Sequence, residues 1–98
     1  MTLDTAGNDL MATNCVMYAT PGSTAIRLAG GGTLDFTNTT LDFTEPLTGS
    51  FVFAQATGDS TFTSVPALAD GIKGYKVRLS ADGKTIKVTS KGFTLIVR

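Results

Sequence analysis

Thr33-Leu34-Asp35-Phe36-Thr37 is followed seven residues on by Thr40-Leu41-Asp42-Phe43-Thr44. Both units alternate polar and apolar residues. In an extended chain Leu34 and Phe36 share a face, and so do Leu41 and Phe43. The spacing has the length of a heptad, but Thr, Asp and Asn are poor helix formers. Strict alternation is the pattern of a half-buried strand. This stretch therefore predicts two short strands and sets the fold class as all-β.

Working outward, Ala29-Gly30-Gly31-Gly32 breaks the chain before this pair, and Glu45-Pro46-Leu47-Thr48-Gly49 turns it afterwards. Further upstream, Asn14 to Tyr18 and Thr24 to Leu28 read as short strands, split by Thr20-Pro21-Gly22-Ser23. Residues 1–12 are expected to be loosely ordered. Downstream, Ser50-Phe51-Val52-Phe53-Ala54-Gln55 is a strong strand, Thr61 to Val65 a short one, and Pro66 to Gly71 a connector with one helical turn.

The C-terminal third predicts a three-stranded antiparallel meander over residues 75–98, with strands Tyr75–Ser80, Lys84–Thr89 and Phe93–Val97. Asp82-Gly83 supplies the positive-φ position of a tight hairpin, and Ser90-Lys91-Gly92 makes the second connection. Tyr75, Val77, Leu79, Ile86, Val88, Phe93, Leu95 and Val97 are expected to share an apolar face. Phe51, Phe53 and the two Leu-Asp-Phe strands are expected to cover it.

Composition agrees. The 98 residues suit one domain. Threonine occurs 17 times and glycine 11 times, while only 16% of residues are charged. Thr fits a pleated, half-exposed surface. There is no His, no Trp and one Cys. This leaves no Ser-His-Asp device, no histidine metal ligand and no internal disulfide. Cys15 lies in a short apolar run and is expected to be a buried, inert thiol. The net charge of zero argues against a nucleic-acid partner. No run approaches the roughly 20 apolar residues of a membrane helix, and residues 1–5 carry no basic leader.

The charge is unevenly placed. Residues 1–60 hold six acids and one base, a net of −5; residues 61–98 hold seven bases and two acids, a net of +5. Such a split favours contact between copies, acidic end to basic end.

Candidate sites are few. Asp35 and Asp42 occupy matching places and could form a calcium pair or an acid and base for glycoside hydrolysis, but they read as outward-facing carboxylates. Lys76, Arg78, Lys87 and Arg98 fall on the outer face of the meander, a candidate surface for a polysaccharide or another polyanion. Gly30-Gly31-Gly32 lacks the Gly-Lys-Ser/Thr ending of a phosphate loop and reads as a turn. Asn38-Thr39-Thr40 has the pattern of a glycosylation acceptor. Thr37-x-Thr39 and Thr61-x-Thr63 have the spacing of threonine arrays on ice-binding proteins. No cofactor is expected.

Gly31-Gly32-Thr33-Leu34-Asp35-Phe36, its Leu41-Asp42-Phe43 echo and Gly49-Ser50-Phe51-Val52-Phe53-Ala54 resemble coils of autotransporter-type and related bacterial surface β-solenoids. Gly74 to Lys84 and Gly92 to Arg98 look like the close of such repeat proteins. The resemblance covers roughly residues 30–98. It implies a parallel β-helix or β-roll stack, an extracellular or cell-surface location, and no catalytic residues. The chain departs from the family in holding only three or four coils of about 20 residues, with no signal peptide and no following barrel.

These readings combine into one expectation: short solenoid-like or sandwich strands in a single domain, closed by the C-terminal meander. The expected function is non-enzymatic and structural, the C-terminal capping portion of a secreted bacterial repeat protein. The alternatives are a self-assembling subunit of a filament, phage tail or capsid surface, and a weak polyanion- or carbohydrate-binding module.

Overall fold

The computed structural model describes residues 1–90. They form strands β1 (Thr2–Asp4), β2 (Asp9–Met11), β3 (Val16–Ala19), β4 (Ile26–Ala29), β5 (Thr33–Asp35), β6 (Thr40–Phe43), β7 (Phe51–Ala56), β8 (Thr61–Phe62), β9 (Ala67–Leu68), β10 (Tyr75–Leu79) and β11 (Thr85–Ser90). The fold is all-β, and the described residues contain no helix and no closed barrel. Three sheets have the strand orders β1-β4-β7-β11-β10, β2-β5-β8 and β3-β6-β9.

The chain visits the three sheets in rotation. Strands β1 to β3 make a first circuit, β4 to β6 a second and β7 to β9 a third. Every strand of one circuit pairs in parallel with its counterpart in the next. The register steps range from 24 residues at Asp9↔Thr33 to 28 at Ile26↔Ala54.

Because side chains alternate along a strand, this register stacks like upon like. Leu10, Leu34 and Phe62 form one inward column, and Met17, Leu41 and Leu68 another. Leu3, Leu28 and Ala56 form the third. Leu34, Phe36, Leu41, Phe53, Phe62, Ile86 and Val88 are all buried. Phe36 sits at the centre, its ring 6.1 Å from that of Phe62 and 6.5 Å from that of Phe53. Full burial of a side chain of this size contributes about 1.5–3 kcal/mol.

Polar groups close the corners between sheets. Thr5 and Ser60 are buried, and each meets the glycine turn at 30–32. Gly32 N–H donates to Thr5 Oγ1 at 2.7 Å, and Gly31 N–H donates to Ser60 Oγ at 2.8 Å. Gly31 has φ +88°, a conformation that favours glycine. At the next corner Thr39 is buried and donates its hydroxyl to Ala12 O. No buried side-chain polar atom among the described residues lacks a partner.

After β9 the direction changes. Strands β10 and β11 form an antiparallel hairpin, and β11 pairs antiparallel with β7. The hairpin turn is the expected one. Gly83 has φ +74°, and Asp82 Oδ1 accepts from Ser80 Oγ at 2.6 Å and from Lys84 N–H at 3.0 Å. Ile86 and Val88 are buried while Arg78 and Lys87 are exposed, as the alternation predicts. The third meander strand, at 93–97, lies outside the described residues.

Several local expectations need correction. Phe51 and Phe53 do not cover the hairpin from another layer; their strand lies beside it in the same sheet. A β-bulge explains how β7 serves both neighbours. The register slips between Ile86↔Ala54 and Lys87↔Val52, leaving Phe53 as the extra residue. Phe53 and Ala54 can therefore both be buried, although they are adjacent in sequence. Residues 1–12 carry two strands rather than loose chain. The segment 66–71 holds β9 and a turn closed by Ile72 N–H to Ala69 O at 3.0 Å, with no helical turn. Cys15 is exposed, because it lies in the bend between β2 and β3, beside Asn14 with φ +52°.

Candidate basic face

The hairpin register places Arg78 directly opposite Lys87, and Lys76 opposite Thr89. Residues two apart on a strand point the same way, so Lys76, Arg78 and Lys87 share the outer face of the five-stranded sheet. Arg98 lies outside the described residues. Among the described residues none of these three side chains is hydrogen-bonded or ion-paired.

Arg27 joins this face. It stands in the row Arg27↔Gln55↔Thr85, where Gln55 Oε1 accepts from Thr85 Oγ1 at 3.1 Å. Sequence reasoning missed it because it lies about 50 residues from the hairpin. The signal was present: Arg27 falls between Ile26 and Leu28, both buried, and the alternation turns it outward. On this face the described acid is Asp4, on the far edge strand β1. The surface can neutralise phosphate, sulfate or carboxylate groups spaced along a chain. Lys84 does not belong to it, since its ammonium donates to the carbonyls of Gly58 and Ser60.

The carboxylates do not converge. Asp35 ends β5 in the second sheet, whereas Asp42 lies on β6 in the third. Asp35 is built into the structure: it accepts the Ser64 hydroxyl, and the Thr37 hydroxyl at 2.8 Å. The Ser64 hydroxyl foremost, then that of Thr37, holds its pKa below the ordinary 3.8. No group of three or more metal-ligating side chains occurs among the described residues.

Asp42 instead lines a cleft of about 510 Å³ with Phe43, Glu45, Leu47, Lys73 and Tyr75. The cleft lies between the segment after β6 and the segment before β10. Phe43 is already committed edge-on to Phe51, with ring centroids 5.8 Å apart. The threonine spacing makes no surface array, because Thr39 is buried with its hydroxyl bonded to the backbone.

Comparison with known protein families, with curated proteins and with solved structures gave no match. No helix among the described residues is long and apolar enough to cross a membrane.

Proposed function

We propose that this chain is a non-enzymatic structural unit that terminates a β-solenoid stack, in a surface or secreted assembly. The observation that carries the reading is the difference between its two ends. At the C-terminal end the β10–β11 hairpin covers the free edge of β7. Ala56 N–H donates to Lys84 O and Phe62 N–H to Gly83 O, each at 2.7 Å, so the hairpin turn also reaches β8. At the other end, among the described residues, β1, β2 and β3 are all outermost with nothing laid on them. In the third circuit β8 and β9 are also outermost, whereas the hairpin covers β7 and reaches β8 through one bond. Uncovered strand edges invite further pairing, and a capping element blocks it. The threonine-rich, charge-poor surface and the resemblance to bacterial surface solenoids support the surface or secreted setting.

The test is a matched pair of cavity variants. Ile86→Ala hollows the hairpin contact, and Leu28→Ala hollows the second circuit; both parent side chains are fully buried. Each should cost about 2–5 kcal/mol. Ile86→Ala should also release the β7 edge and show concentration-dependent association by light scattering, at a temperature where both variants retain their strand circular dichroism. Equal association by the two variants would contradict a capping role.

A second reading, polyanion binding, is favoured by one observation. Like charges directly opposite on paired strands are destabilising, yet Arg78 faces Lys87 with no acid beside them among the described residues. A bound anionic chain would relieve that repulsion.

A further inference from the structure

The first circuit differs from the second in one respect. In the first sheet Ala29 lies beneath Asp4, but Asp35, Thr40 and Asp42, outward in the second and third sheets, are polar. The residues directly above them in the first circuit are Met11, Val16 and Tyr18. Those three are 66%, 54% and 68% exposed, and with Met1 they are the exposed large hydrophobic residues among those described. The same circuit carries three strand edges left uncovered among the described residues, and its inward Leu3, Leu10 and Met17 are only partly buried. Apolar edge, apolar rim and incomplete core therefore coincide at one end of the molecule.

We propose that this end is covered by the same end of a second copy of the chain, related by a two-fold axis perpendicular to the stack. The inference rests on the reading of an open end opposite a capped one. Head-to-tail stacking, which the charge split favours, would have to displace the hairpin from β7. A two-fold contact leaves both hairpins in place and produces a closed, self-complementary dimer.

The register of such a contact follows from the strands. The axis passes through the middle of β1, so β1 meets its own copy antiparallel with Leu3 opposite Leu3 and Asp4 opposite Thr2. The same rotation carries β2 onto the partner's β3. Leu10 then stands opposite Met17, which continues the inward column. Met11 stands opposite Val16, and the Asp9 carboxylate opposite the Tyr18 hydroxyl. The exposed apolar residues of β2 and β3 gain neighbours, no two acids face each other, and all three edges become paired. Each first circuit is acidic, with Asp4 and Asp9 and no Lys or Arg, but this register sets Asp4 opposite Thr2 and Asp9 opposite Tyr18, so the carboxylates do not meet each other.

Two measurements test this. Sedimentation equilibrium of the whole chain should give twice the 10.2 kDa chain mass. Met11→Asp, at an already exposed position, should weaken the dimer by about tenfold or more while leaving the circular dichroism spectrum unchanged. Site-specific cross-linking fixes the register, since opposed residues in an antiparallel pair lie within disulfide reach. In a Cys15→Ser background, Met11→Cys alone and Val16→Cys alone should stay uncross-linked under mild oxidation. Their mixture should give a disulfide-linked dimer.

A monomer at all concentrations would overturn the proposal and leave the end to a coil supplied by another chain. A ladder of higher multiples would overturn it in favour of head-to-tail assembly. Either result would leave the capping role of the hairpin standing, because that role is read from Ile86→Ala against Leu28→Ala.

Discussion

Arg78 and Lys87 stand directly opposite each other on the outer face of the β10–β11 hairpin. A cross-strand pair of like charges costs stability, and an opposite-charge pair adds about 0.2–1 kcal/mol. Lys87→Glu should therefore stabilise the isolated protein and raise Tm by about 2–5 °C. The same substitution should reduce the salt needed to elute the protein from an anionic polysaccharide column. An unchanged or lower Tm would show that the pair is not strained, and unchanged elution would remove the polyanion reading.

Asp35 and Asp82 should make the fold acid-sensitive. The Ser64 hydroxyl, foremost, lowers the pKa of Asp35, and the Ser80 hydroxyl that of Asp82. A folded pKa below the unfolded one means that the unfolded chain takes up protons first. The stabilisation is complete above the ordinary value of 3.8 and is lost as pH falls through the lowered folded values. Urea midpoints should thus stay level from about pH 6 to about pH 4 and drop below that. Asp35→Asn combined with Asp82→Asn should flatten that drop, and an equally steep drop in the double variant would contradict the assignment.

Gly32 is required by space. A Cβ there would overlap the carbonyl oxygen of Asn8 and come within 2.7 Å of Thr5 Oγ1. Backbone cannot give way as a flexible side chain can, so Gly32→Ala should cost about 3 kcal/mol or more. Gly49→Ala is the control, with nothing within 4 Å of its Cβ, and should be nearly neutral. Chemical denaturation of the two variants side by side decides the point.

Cys15 is exposed, and its sulfur lies 3.8 Å from the Thr39 hydroxyl. It should react with a thiol reagent in the folded protein, without denaturant. Labelling only after unfolding would mean that the bend between β2 and β3 is packed differently.

The local pattern was legible wherever alternation ran for four or more residues. Leu34, Leu41, Ile86 and Val88 turn inward as read, and Arg78 and Lys87 turn outward. The Asp82-Gly83 turn was legible from glycine's access to positive φ. The pairing of strands was not. Parallel partners lie 24 to 28 residues apart, and strands of two or three residues such as β8 and β1 are too short to carry a period.

Other features were hidden for specific reasons. The bulge at Phe53 breaks the alternation that would have placed β7 beside the hairpin. Arg27 joins the basic face only through parallel pairing of β4 with β7. The apolar character of Met11, Val16 and Tyr18 gains its meaning only from the register, which sets them above Asp35, Thr40 and Asp42.

The hairpin's hold on the coil end is most directly measured by amide hydrogen exchange at Ala56 and Phe62. Their N–H groups donate to Lys84 O and Gly83 O, so each is protected only while the hairpin is docked. Exchange at both sites should be as slow as at Thr57, whose N–H donates to Leu28 O within the circuits. Exchange at unstructured-peptide rates at Ala56 and Phe62, with Thr57 still protected, would mean that the hairpin does not close the stack.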